Sequence, residues 1–151
     1  MKLSAREQYG LRAMIELARQ HGRGPVSLSE VSDAQGMSLG YLEQIIPLLK
    51  EAGLVESTRG ARGGYELTRS PGEITVGDVI RALEDGFIVP LKCIAGDEEQ
   101  ESCSREEICA ARDVWRKMHE GIVGVLDSTT LADLAEPVDA SQEAAAAYPA
   151  G

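Results

Sequence analysis

Two helix-start signals whose helices are separated by only two residues limit the fold more than any other feature of this chain. Ser27 and Glu30 have capping-box spacing, in which each side chain satisfies the other's exposed backbone amide, so a helix opens after Ser27 and ends near Gly36. Ser38 caps a further helix that carries Leu39, Leu42, Ile45, Ile46 and Leu49 at helical spacing, with Gly53 beyond its end. Only Gly36 and Met37 lie between. Two helices joined by so short a glycine-containing turn read as a helix-turn-helix, a pattern that generic helical hairpins share. Upstream, Leu11, Met14, Ile15 and Ala18 repeat at helical spacing, which predicts an amphipathic helix from Ala5 to about His21, stopped by Gly22, Gly24 and Pro25. Pro47 falls inside the third helix, where it removes an amide donor and crowds the carbonyl of Glu43, so a kink is expected there.

Behind this pair, Leu54–Ser57 and Tyr65–Thr68 alternate in character around the glycine-rich span 58–64, which predicts a hairpin. A hairpin directly after a helix-turn-helix occupies the place of the wing in a winged helix. Val76, Val79, Ile80 and Leu83 mark a fourth short helix, and Val114, Trp115, Met118, Ile122, Val125 and Leu126 mark a long one. That long apolar stripe is too large for so small a domain to cover, and a partner helix is the natural cover. The fold class is therefore mainly α with a small β-hairpin: a winged helix-turn-helix domain plus a long C-terminal dimerisation helix. The expected divisions are a DNA-binding domain over 1–85, a cysteine-rich loop over 86–108, the dimerisation helix and following segment over 109–135, and an Ala-rich, aperiodic and hence disordered tail over 136–151.

Net charge at first argues against nucleic acid, because 151 residues carry a formal −10. The halves differ sharply. Residues 1–70 hold nine Lys/Arg against eight Asp/Glu, and residues 71–151 hold six against seventeen. The acid is C-terminal and would face away from DNA, while the N-terminal half remains free to meet phosphates. No apolar run approaches the roughly 20 residues that span a bilayer, and the charged amino terminus lacks an export signal, so no membrane association and a cytoplasmic protein are expected.

In a helix-turn-helix the first turns of the second helix enter the major groove, which nominates Ser38, Gly40, Tyr41, Glu43 and Gln44. Gln pairs with adenine, Glu accepts from cytosine N4, and Ser or Tyr reaches phosphates or bases. The alternative is the solvated face of an ordinary helix. Arg59 and Arg62 at the hairpin tip suit a phosphate or a minor groove, although solubilising charges in a turn look the same.

All three cysteines fall within 17 residues, at Cys93, Cys103 and Cys109, with spacing C-x9-C-x5-C. An odd number in a chain with no export signal argues against a disulfide framework. Zinc usually starts from a tighter knuckle, absent here, whereas thiolate ligation of an iron–sulfur cluster tolerates such loops. Zinc, with His119 or His21 as a further donor, and a thiol switch both stay open. Asp97, Glu98, Glu99 and Glu101 crowd the same segment, and their field would push a cluster's reduction potential down, or would simply solvate the loop.

The opening Met-Lys-Leu-Ser, the stretch Met37–Gln44, the hairpin Arg59–Tyr65, the helix start Ile74–Ile80 and the three cysteines together resemble the winged-helix iron–sulfur regulator family that contains the iron–sulfur cluster assembly regulator (IscR) and the nitric-oxide-sensing repressor (NsrR). The resemblance covers about residues 1–135, and the N-terminal half is most like IscR. It implies a homodimer joined by the long helix on a pseudo-palindromic double-stranded DNA operator. It further implies contacts from Tyr41, Glu43, Gln44 and Arg59, and a [2Fe-2S] or [4Fe-4S] cluster on Cys93, Cys103 and Cys109. Two features depart from the pattern. Arg112 stands where IscR-like members have a histidine ligand, and Gln8 where NsrR-like members have an aspartate, so neither fourth ligand carries over. The function expected is transcriptional regulation gated by cluster supply, iron or redox state, with nitric oxide sensing or a cluster-free zinc or thiol switch as alternatives. An oxidoreductase is disfavoured, since the chain has no C-x-x-C motif and no glycine-rich nucleotide loop. A protein-interaction module with zinc-binding cysteines is the remaining class.

Overall fold

The computed structural model describes residues 3–83 and 108–136. Within them the chain is mainly helical with one small antiparallel sheet. Helix α1 (Ala5–Arg19) opens on a capping box between Ser4 and Glu7, and α2 (Leu28–Gln35) opens on the box that Ser27 and Glu30 predict. Gly36 leaves α2 at φ 61°, a left-handed conformation that glycine adopts without a Cβ penalty. Ser38 then caps α3 (Leu39–Glu51), its hydroxyl accepting from the Tyr41 amide. The predicted two-residue junction is therefore present. Helix α3 runs unbroken through Pro47, which lies on its exposed side and leaves the Glu43 carbonyl without its helical donor. Helix α1 stops two residues before His21, because the His21 amide turns back to the Ala18 carbonyl in a tightened last turn.

Strands β1 (Val55–Thr58) and β2 (Gly64–Leu67) pair with Val55 opposite Leu67 and Thr58 opposite Gly64. Each is displaced by one residue from its predicted span. Leu54 is used elsewhere: its amide bonds to Leu49 O at the exit of α3, and its carbonyl accepts from Thr68. The hairpin is also fastened along the outer edge of β2, where Val26 and Tyr65 exchange both backbone hydrogen bonds at 3.0 and 2.8 Å. Gly64 makes this approach possible, since a Cβ there would overlap the Val26 carbonyl.

A short 3-10 turn (Pro71–Glu73) leads into α4 (Val76–Leu83). Met14, Leu17, Leu42, Ile45, Leu49, Val55, Leu67, Val79 and Leu83 close one core among α1, α3, α4 and the sheet. After the segment outside the described residues, α5 (Arg112–Ser128) and α6 (Leu131–Ala135) complete the chain. The sequence reading missed α6. Leu131 is fully buried, and its amide bonds to Ile74 O while the Val76 amide bonds to Thr129 O, so this end of α5 is bound to the N-terminal unit. No residue of α5 itself is buried, and Val114, Trp115, Met118 and Val125 are exposed, Val125 by 64%. Among the described residues no helix is long and apolar enough to cross a membrane. The predicted loop 86–108, apart from Ile108, and the predicted tail 136–151, apart from Glu136, lie outside the described residues.

Candidate nucleic-acid interface and cysteine segment

The buried side of α3 is Leu42, Ile45, Ile46 and Leu49, which turns the other side outward by helical periodicity. Ser38, Gly40, Glu43 and Gln44 are exposed there, together in the first two turns. Tyr41 differs from them. It is half-buried, with its ring at an edge-to-face angle of 78° and 5.5 Å from that of Tyr9 on α1. A side chain named for its reach toward DNA is thus also packed from behind.

The second candidate element is the hairpin tip. Gly60 has φ 120°, a conformation open to glycine, and its carbonyl accepts from the Gly63 amide at 3.0 Å. A Cβ on Gly63 would overlap the carbonyl of Thr58, so the turn closes only with glycine at that place. This tight turn leaves Arg59 and Arg62 fully outward and exposed. Lys50 Nζ donates to Ser57 Oγ at 2.8 Å and joins the end of α3 to β1. The recognition-side residues and the arginines therefore stand on two elements held to each other.

Of the three cysteines, Cys93 and Cys103 lie outside the described residues. Cys109 is exposed and free, three residues ahead of α5, with its carbonyl accepting from the Arg112 amide at 3.1 Å. A thiolate is the soft donor that iron–sulfur clusters take, so the residue type and accessibility at Cys109 fit such a group. His119 is half-buried on α5, and its Nδ1 has no hydrogen-bond partner among the described residues.

Sequence reasoning missed a connection between α5 and α4. Arg81 and Asp127 form a two-pronged ion pair, Nη1 to Oδ1 at 2.7 Å and Nη2 to Oδ2 at 2.9 Å. The Arg81 hydrogen bond holds the Asp127 carboxyl below its ordinary range, and the same bond raises Arg81. Gly77 makes room for the pair, because a Cβ there would overlap Asp127 Oδ1. The pair joins residues 46 positions apart, and no local pattern in a sequence announces it.

Residues 3–137 match the Rrf2 family, described as an iron-dependent transcriptional regulator. This chain belongs to the Rrf2 family. It is 45% identical to the HTH-type transcriptional regulator CymR of Bacillus subtilis over 144 residues, which is 95% of this chain and 96% of that protein. Identity to the HTH-type transcriptional regulator IscR of Serratia proteamaculans is 37%, over 92% of this chain and 82% of that one. Solved structures agree. CymR, the global cysteine regulator of B. subtilis, superposes with a TM-score of 0.76 over 92% of this chain and 99% of that one, and T. potens IscR with 0.71 at 39% identity over 95% and 96%. As a member of the Rrf2 family this chain is a transcriptional regulator, as are the CymR and IscR proteins that it resembles. The resemblance to IscR inferred from motifs stands within that family, alongside CymR.

Proposed function

We propose that residues 1–85 form a winged helix-turn-helix that reads a double-stranded DNA operator, that two copies join along α5, and that an iron–sulfur cluster on Cys93, Cys103 and Cys109 gates the binding. The observation that carries the DNA reading is the paired exposure of Ser38, Glu43 and Gln44 on the first turns of α3 with Arg59 and Arg62 on the adjoining hairpin. Major-groove contacts from α3 would supply specificity, and phosphate or minor-groove contacts from the arginines would supply salt-dependent affinity. The exposed stripe Val114, Trp115, Met118 and Val125 supports self-association, since two such stripes bury each other in a twofold dimer.

Cys93, Cys103 and Cys109 would hold the cluster, which would supply redox-sensitive chemistry to the segment ahead of α5. The remainder is the chain's own packing. Cys109 stands just ahead of α5, the far end of α5 is joined to α4 through Asp127 and Arg81, and α4 packs Val79 and Leu83 into the core shared with α3. A displacement of α5 is therefore passed to the spacing of the paired α3 helices, and half-site spacing becomes the quantity that the signal changes. The signal in this reading is cluster supply, iron or redox state.

The similarity to CymR, the global cysteine regulator of B. subtilis, favours a second reading, a cluster-free regulator responding to sulfur supply or thiol state. Anaerobic purification with visible absorption and iron and sulfide analysis separates the two, with DNA binding compared before and after cluster removal. A brown protein whose DNA affinity changes on cluster loss supports gating. In Cys103→Ala the cluster is expected to be lost with the fold intact, and normal loading in that variant would sink the ligand assignment. A protein that stays colourless after reconstitution moves the reading to a zinc or thiol switch.

A further inference from the structure

Helix α1 carries Tyr9, Arg12 and Glu16 at helical spacing along one face, where Arg12 and Glu16 meet Gln35 at the end of α2 and Tyr9 meets Tyr41 on α3. The last carbonyls of a helix have no internal donor. That of Gln35, the final residue of α2, is met by an Nη of Arg12, while Arg12 Nε donates to Gln35 Oε1 at 3.3 Å. A cation at this end also complements the helix dipole. The Gln35 side chain is held from its other side as well, because Nε2 donates at 2.9 Å to the buried carboxylate of Glu16. The same guanidinium lies 5.7 Å from the centroid of the Tyr9 ring, within cation–π range. Tyr9 in turn meets Tyr41 edge to face. One exposed arginine is thus in contact with the end of α2 and, through one ring, with the start of α3.

We propose that Arg12 is a positioning residue for DNA reading: acting through Gln35 and Tyr9, it sets the orientation of Tyr41 and the first turn of α3. This rests on the DNA-reading proposal above. Arg12 meets Gln35 and Tyr9 rather than the exposed face of Ser38, Glu43 and Gln44, so its loss affects discrimination between sequences and spares general attraction to phosphate.

The test uses the full-length protein and two duplex probes, the sequence that it enriches from a randomised pool and a scrambled duplex of equal length. Arg12→Ala is expected to lose roughly tenfold in affinity for the enriched duplex, with affinity for the scrambled duplex and the salt slope unchanged. The loss from Arg12→Ala should also shrink when Tyr41→Ala is already present, because the two act along one path. Equal loss on both duplexes with a salt slope shallower by about one would make Arg12 a phosphate contact and overturn the proposal. No loss on either duplex would overturn it too. Should Arg12→Ala melt early, Arg12→Lys, which keeps the charge without the fork, replaces it and is expected to lose discrimination in part. If the parent protein enriches no sequence at all, the DNA-reading proposal itself fails, a result distinct from any of these.

Discussion

The N-terminal unit and helix α5 solve opposite problems with the same kinds of residue. In the unit, apolar side chains of three helices and a hairpin meet and exclude water, so that Met14, Leu42, Leu49 and Val79 have no exposed surface. In α5 a stripe of equal character is turned to solvent, and Met118 keeps 48% of its surface. Periodicity reads the same in both. The difference teaches that a helical apolar pattern states that a face is to be covered, and leaves open whether the cover is the chain itself or another molecule.

The sharpest contrast is a core truncation against a charge placed on α5. Leu42→Ala leaves a cavity in a fully packed site and is expected to cost about 3 kcal/mol in denaturant unfolding, enough to make a marginal domain melt near growth temperature. A midpoint within error of the parent would show that α3 is not a structural member of the core. Val125→Asp, by contrast, is expected to leave the circular dichroism of the N-terminal unit in place while sedimentation changes from dimer to monomer. Operator affinity should fall by roughly tenfold or more, because the two half-sites are no longer bound together. Unchanged sedimentation would break the dimer assignment and the comparison with it.

Smaller effects sharpen the contrast between the unit's two outward elements. Arg59→Ala and Arg62→Ala are each expected to weaken binding on any duplex and to lower the salt slope by about one, whereas Gln44→Ala should lose affinity on the preferred duplex alone. An unaltered salt slope in both arginine variants would leave them as solubilising charges.

The smallest expected effect concerns pH. Asp127 is held low by Arg81, Asp133 by the Thr130 amide and Glu30 by the Ser27 amide. A carboxyl whose folded-state value lies below its unfolded one contributes stability that is complete above the ordinary carboxylate range and is lost as pH falls through the lowered value. Denaturation midpoints should therefore stay level from pH 7 to about 5 and decline below about 4. Asp127→Asn should make that acid decline shallower, and an identical profile in the variant would show that the Arg81 pair has no part in it.

Much of the N-terminal unit was legible from local rules. Caps at Ser27 and Ser38, the glycine exit at Gly36 and the glycine-rich tip between Thr58 and Gly64 are each decided by residues within a few positions of one another. The one-residue displacement of the hairpin was not legible, because it depends on where Leu54 spends its amide at the end of α3. Pro47 lies on the exposed side of α3, which continues through it with Ile45, Ile46 and Leu49 buried around it. In the candidate interface, exposure at Glu43, Gln44, Arg59 and Arg62 followed from helix and turn patterns. The Tyr9 ring behind Tyr41, the hold of Arg12 on Gln35 and the Arg81–Asp127 pair did not, since each joins distant parts of the chain through side chains that look like surface residues in a linear reading.

The position of the Arg81–Asp127 pair has a mechanical meaning. Together with the bonds from Val76 to Thr129 and from Leu131 to Ile74, it fastens α5 at its last turn, while Cys109 stands ahead of its first. Seventeen residues of helix reach about 25 Å. A rotation of about ten degrees about that fulcrum moves the cysteine end by roughly 4 Å, close to the rise of about three helical residues. In the other direction the same gearing works in reverse, so that a shift of several ångströms at the thiol end arrives at α4 as a small, stiff rotation.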